Sequence, residues 1–171
     1  MGEASAEREE VAGADWRRRA ERLWDTFDDH DAEGFRDAMR ALVAELPAEH
    51  PLGLFELASA YDATDGEAEA AALYRRALAA GLPGDLRRQA VIQLASTLRN
   101  LGEVAASVEL LRGERAAASD ELDDAVDAFL ALSLADAGRE REAVALLLRA
   151  LAGHLPRYRR SVTAYADGLT A

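Results

Sequence analysis

The chain has 171 residues, half of them apolar, with no cysteine and a formal net charge of −12. That length is enough for one domain with a buried core, and the composition excludes a disordered chain. The lack of cysteine removes disulfides, thiolate catalysis and cysteine-ligated zinc together. The acidic excess lies wholly in residues 1–70, with 19 acidic against 7 basic side chains, and disfavours nucleic acid and membrane surfaces as partners.

Alanine and leucine dominate the apolar half and aromatic residues are scarce, so helix is expected almost throughout. Residues 1–12 are acidic and polar, unlike a secretory leader, and are read as a disordered segment ahead of a helical domain over 13–171. No apolar run reaches the roughly 20 residues of a membrane span, which makes the cytoplasm the simplest address. Helices are then predicted over 14–29 and 31–46. Trp24 and Phe27 lie on the first, and Phe35, Met39 and Leu42 on the second, which ends at Pro47. Trp16 and Trp24, two turns apart, share a face expected to be core. Asp28-Asp29-His30-Asp31 falls between the two helices and suits capping better than metal binding.

Further helices are predicted over 51–64, 66–80, 84–100, 102–115, 120–137, 139–154 and 156–168, nine in all, with Asp65-Gly66, Gly81-Leu82-Pro83, Leu101-Gly102 and Ala137-Gly138 as breaks. A pattern recurs within them. Leu54, Leu57, Ala58 and Tyr61 share one helical face, and Ala70, Tyr74 and Ala77 the next. The order returns 37 residues on as Val91, Leu94, Ala95 and Leu98, then Ser107, Val108 and Leu111. After a further 36 it returns as Leu130, Ala131 and Leu134, then Ala143, Leu147 and Ala150, with Asp127 departing from it.

This order resembles the tetratricopeptide repeat, a helix–turn–helix unit of 34 residues. Ala58, Ala95 and Ala131 look like its first-helix contact point. Ala70, Ser107 and Ala143 look like its second-helix contact point, and Tyr74, Leu111 and Leu147 like the bulky position after it. Residues 15–50 resemble a degenerate first unit, and 157–168 a closing cap. The resemblance is closest to the short stand-alone bacterial members, the group 5 tetratricopeptide repeat family. It implies an all-α solenoid of about four stacked antiparallel helix pairs plus a C-terminal capping helix. It also implies protein partners, including a second copy of the chain.

In such a stack the first helices line a concave groove. The resemblance places Phe55, Ser59 and Asp62 there from the second unit, Gln89, Gln93, Ser96, Arg99 and Asn100 from the third, and Ala128, Phe129, Leu132 and Asp136 from the fourth. Amides and a guanidinium on one face suit an extended backbone or a carboxylate, though an ordinary solvated face carries the same residues. Phe55 and Phe129 are either exposed anchors or core, with core the better reading. The chain has no lysine, so the Lys/Asn clamp of chaperone-binding relatives is not expected.

Neither catalytic nor cofactor chemistry is expected. The three histidines are scattered, there is no phosphate-binding glycine loop, and no Ser–His–Asp spacing connects. The run Asp120-Glu121-Leu122-Asp123-Asp124, with Ser119 before it as a cap, lacks the spacing of a calcium loop and suits a helix N-terminus. Basic–aromatic patches at Arg17 to Arg19 with Trp16, and at Arg157, Arg159 and Arg160 with Tyr158, read as amphipathic helix faces. The chain is therefore expected to be a non-enzymatic interaction module that forms a homodimer. The alternatives are a monomeric adaptor holding a peptide in its groove, or a small-ligand sensor.

Overall fold

Punctuation residues divide the chain into helical pairs. The computed structural model describes the backbone of residues 3–117 and 120–171, and side chains there except those of residues 3–12 and Asp85. Met1, Gly2 and the expected cap Ser119 lie outside the described residues. Within them the chain forms nine α-helices, one 3₁₀ turn and no strand. The helices group into two units, Met1–Ala80 and Gly81–Ala171.

The first unit contains α1 (Glu3–Asp25), a 3₁₀ turn (Phe27–Asp29), α2 (Ala32–Val43), α3 (Pro51–Asp62) and α4 (Glu67–Ala79). The helix α1 starts well before the predicted residue 14 and ends earlier than 29, where Thr26 and the 3₁₀ turn break it. Asp31 caps α2 by accepting a hydrogen bond from the Gly34 amide at 2.7 Å. Pro51 opens α3, where its fixed φ and missing N–H cost nothing. The core holds Trp16, Phe35, Met39, Ala58, Ala70 and Tyr74. Trp16 Nε1 donates to the Leu42 carbonyl at 2.9 Å, which satisfies the one polar atom of a buried indole. Trp24, Phe27 and Phe35 cluster with ring centroids 4.7 to 5.9 Å apart.

The second unit contains α5 (Gly84–Asn100), α6 (Val104–Arg115), α7 (Asp123–Asp136), α8 (Glu140–His154) and α9 (Arg159–Thr170). Neighbours pack in chain order, and α5 also meets α7. One core runs through α5 to α8, including Ile92, Ala95, Val108, Leu111, Leu130, Ala131, Leu134 and Ala143. The small contact residues are buried throughout, namely Ala58, Ala95 and Ala131 on first helices and Ala70, Ser107 and Ala143 on second helices. At Ser107 the hydroxyl donates to the Ala95 carbonyl at 2.6 Å and lies 2.8 Å from Ser133 Oγ, so helices pass close enough for backbone contact.

The turns inside the repeats share one geometry. The amides of Gly66, Glu103 and Arg139 donate five residues back to the carbonyls of Tyr61, Leu98 and Leu134, at 2.8 to 2.9 Å. The residue before each donor is left-handed: Asp65 (φ 59°), Gly102 (φ 81°) and Gly138 (φ 72°). This is the six-to-one helix ending that favours glycine, with aspartate tolerated in one turn of the three. The repeat is thus visible in backbone hydrogen bonds as well as in side-chain order.

Candidate functional site

Of the three α3 residues placed along the groove, Phe55 is buried in agreement with its reading as core, and Ser59, placed on the open face, is buried as well. Phe55 is buried, its ring 6.2 Å from that of Tyr74. Ser59 is buried and its Oγ accepts from the Tyr74 hydroxyl at 3.3 Å, with Asp62 Oδ2 3.4 Å from the same hydroxyl. Burial pushes the Tyr74 hydroxyl far above the ordinary phenol range, so it stays a neutral donor. Phe55 and Ser59 therefore serve the core, because the bulky second-helix tyrosine draws them inward. Asp62 stands half-buried at its edge.

In the second unit the first helices α5 and α7 lie side by side. Gln89, Gln93, Ser96 and Asn100 follow one another along one face of α5, the first three half-buried and Asn100 exposed. Arg99, beside that face, is already partnered. Its Nη1 donates to Asp136 Oδ2 at 3.0 Å, and its Nη2 to Asn100 Oδ1 at 3.3 Å. Arg99 thus ties α5 to α7. On α7, Ala128 and Phe129 are half-buried, Phe129 packing against the core, while Leu132 is exposed.

Sequence reasoning missed an ionic network at the other end of α5. Glu114 of α6 is 4% exposed and receives Arg87 through both oxygens, at 2.8 and 2.9 Å. Arg88, 3% exposed, reaches Asp120 Oδ1 at 2.6 Å and Asp123 Oδ1 at 2.7 Å, with Glu114 3.6 Å from its Nε. The network joins α5, α6 and the start of α7. The signal was present in the repeat, since Glu114 occupies the position of Ala77 and Ala150. A carboxylate at an alanine position needs a cation.

A cleft of about 230 Å³ between α6, α7 and α8 has a floor of Leu130, Leu134 and Leu146. Its rim guanidiniums are already paired, Arg112 with Glu142, Arg115 with Asp127 and Arg149 with Asp167.

Exposed apolar surface is unevenly placed. Among the described residues the exposed large hydrophobic side chains are Leu101, Leu132, Val144, Leu147, Leu151, Tyr158 and Tyr165, all in the second unit. Val144, Leu147 and Leu151 stand three and four residues apart on α8 and form one stripe. Helix α9 adds a further instance of the repeat. Val162, Tyr165, Ala166 and Leu169 carry the first-helix order of Leu130, Ala131 and Leu134, with Ala166 fully buried and 35 residues after Ala131. The expected C-terminal helix is present, and its residues carry the first-helix order.

These contacts set the chain beside known proteins. Residues 51–169 match the family described as Tetratrico peptide repeat (TPR_5). The chain belongs to that family. Among solved structures it is similar to nearly identical TPR-like repeats from a Podosopora anserina protein assigned as a kinesin light chain. A singly substituted form has a TM-score of 0.68 at 22% identity, covering 90% of this chain and 85% of the other. A second structure of those repeats has a TM-score of 0.62 at 18% identity, covering 91% and 94%. None of the curated proteins matches the sequence. The tetratricopeptide fold is a stack of helix pairs that generally acts as a protein-interaction module without chemistry of its own. No helix among the described residues is long and apolar enough to cross a membrane.

Proposed function

We propose that the protein is a non-catalytic, cytoplasmic interaction module that associates with a second copy of itself. The observation that supports this reading is the concentration of exposed aliphatic and tyrosine side chains in the second unit. Monomeric surfaces carry such residues singly, whereas grouped ones mark contact surfaces, and tyrosine is over-represented among residues that dominate binding. A two-fold pair is the commonest closed assembly. Light scattering on the eluting protein tests the proposal. A mass near twice 18.4 kDa at micromolar concentration is expected, and a mass of one chain at every concentration refutes it.

A second reading is favoured by the first-helix face of the second unit. Gln89, Gln93, Ser96 and Asn100 align there by helical spacing, beside the Arg99–Asp136 tie. Such a strip suits an extended peptide, whose backbone amides and carbonyls the side chains can meet. Gln89→Glu with Gln93→Glu leaves the tie intact and is expected to abolish recovery of a peptide partner. Unchanged recovery refutes this use of the face.

A further inference from the structure

Most arginines of the second unit reach a carboxylate, as Arg87, Arg88, Arg99, Arg112 and Arg149 do. The turn between α8 and α9 departs from this. From 143 to 166 the sequence carries Arg149, Arg157, Arg159 and Arg160 and no acidic residue. Arg157, Arg159 and Arg160 are exposed, and among the described residues none of them pairs with a carboxylate. Arg159 donates to backbone, to the Gly153 carbonyl at 2.8 Å and the Leu155 carbonyl at 3.5 Å. Asp124, which reaches the end of α8, is taken by His154 at 2.8 Å. Tyr158 sits among the three arginines, 77% exposed, and Tyr165, 73% exposed, follows about two turns into α9. Tyrosine and arginine are among the side chains that most often anchor a protein contact.

The first unit carries a turn of opposite charge. Asp25, Asp28, Asp29, Asp31 and Glu33 fall within 25–33, around the junction of α1 and α2, with no arginine among them, and all are exposed. Asp31 is used as the cap of α2. Asp25, Asp28 and Asp29 pair with no cation among the described residues, and Phe27 stands half-buried between them.

We infer that these two turns are the halves of one contact between copies, in which Arg157, Arg159 and Arg160 of one copy dock on Asp25, Asp28 and Asp29 of the other, with Tyr158 set beside Phe27. The inference rests on the self-association reading above. What selects a second copy as the occupant is charge complementarity, since the chain itself bears, exposed and unpaired, the complement of its own basic turn. Each copy carries −12 overall, so whole copies repel at long range. At about 0.1 M salt, charges more than about 10 Å apart are largely screened, while a guanidinium and a carboxylate in contact still attract. Such a pair can form two parallel N–H···O bonds, which fixes orientation as well as attraction. In a two-fold pair the contact is made twice, because each copy gives and receives the same residues. Exposed ion pairs contribute little individually, so the tyrosines and the doubling of the contact supply the affinity and the charges select the partner.

Arg157→Glu with Arg160→Glu reverses the basic turn, and Asp28→Arg with Asp29→Arg reverses the acidic one. In sedimentation equilibrium at about 0.1 M salt the wild type is expected near twice 18.4 kDa. Either double variant alone is expected at the mass of one chain, with an unchanged helical circular dichroism spectrum. An equimolar mixture of the two is expected to return to the mass of a pair, because both contacts are then complementary again, a rescue that misfolding cannot produce. Raising the salt to about 1 M, where the screening length falls to about 3 Å, is expected to shift the wild type toward the mass of one chain. A wild type found only at one chain's mass overturns both this inference and self-association. A wild-type dimer that survives both double variants, or a mixture that stays at one chain's mass, overturns the contact between turns alone and leaves self-association standing. A wild-type dimer captured by phosphatidylserine vesicles through Arg157 and Arg160 does the same and assigns the basic turn to a lipid surface.

Discussion

Replacing Arg88 with alanine is the sharpest test of how the second unit is held together. Arg88 is almost fully buried, yet it gathers Glu114, Asp120 and Asp123 around one guanidinium. Removing one partner from a buried ionic cluster costs about 3–5 kcal/mol, chiefly because charge is left without compensation. Two features place Arg88→Ala at the low end, about 3 kcal/mol. Asp120 and Asp123 are 41% and 47% exposed and can return to water, and Glu114 keeps its two-pronged bond from Arg87. Glu114→Ala removes a single carboxylate and installs the residue that Ala77 and Ala150 supply in the neighbouring repeats. Arg87 is itself 47% exposed, so its lost bonds are largely replaced by water and the expected cost is about 1 kcal/mol. Urea unfolding followed by circular dichroism, read as the shift in midpoint at constant slope, measures both variants. Added salt of about 0.5 M is expected to leave the difference almost unchanged, since buried pairs are poorly screened. If Glu114→Ala proves more costly than Arg88→Ala, the hub is Glu114 and the assignment of Arg88 is wrong.

Burial holds the Glu56 carboxyl above its ordinary value, although the Trp24 indole donates to it at 2.8 Å. A raised folded-state value means that the wild type gains stability in acid and loses it as the pH climbs through that value. Glu56→Gln keeps the indole's acceptor without the charge. It is expected to match or exceed wild type at pH 7 and to lose that advantage near pH 4, and urea midpoints showing the larger advantage at pH 4 would contradict this. Ser107→Ala removes a buried hydroxyl but leaves Ser133 bonded to the Phe129 carbonyl at 2.9 Å. Its expected cost is about 1 kcal/mol, and a loss above about 3 kcal/mol by the same assay would mean the hydroxyl pair does more than satisfy itself. Asp65→Gly relieves a left-handed aspartate at the turn where the other two repeats use glycine. The unfolding midpoint is expected to rise by the equivalent of about 0.5–1 kcal/mol, and a fall would place the aspartate side chain in a stabilising role.

The order of elements was legible in the sequence because the signals that set it are local. Apolar spacing fixes each helical face, and Asp65-Gly66, Gly102 and Gly138 end helices through bonds that span only five residues. The contact points Ala58, Ala95 and Ala131 were legible for a related reason, since any larger side chain there would hold neighbouring helices apart. The groove was less legible. Ser59 occupies a groove position by pattern, but the Tyr74 hydroxyl bonds to it, while Phe55 packs against the same ring as its core reading had it. Arg99 occupies a ligand-facing place by spacing, but Asp136, 37 residues away, claims it.

What the sequence determined by itself was the period and therefore the fold, because helix, turn and small contact residue each depend on neighbours a few positions away. The tertiary structure alone decided which polar residues are spent on the protein itself, as in the Arg87, Arg88 and Glu114 network, and which apolar ones stay uncovered. Burial is a property of what arrives from elsewhere in the chain. Leu111 and Leu147 carry the same residue in the same register, yet Leu111 lies in the core shared by α5 to α8 and Leu147 is exposed.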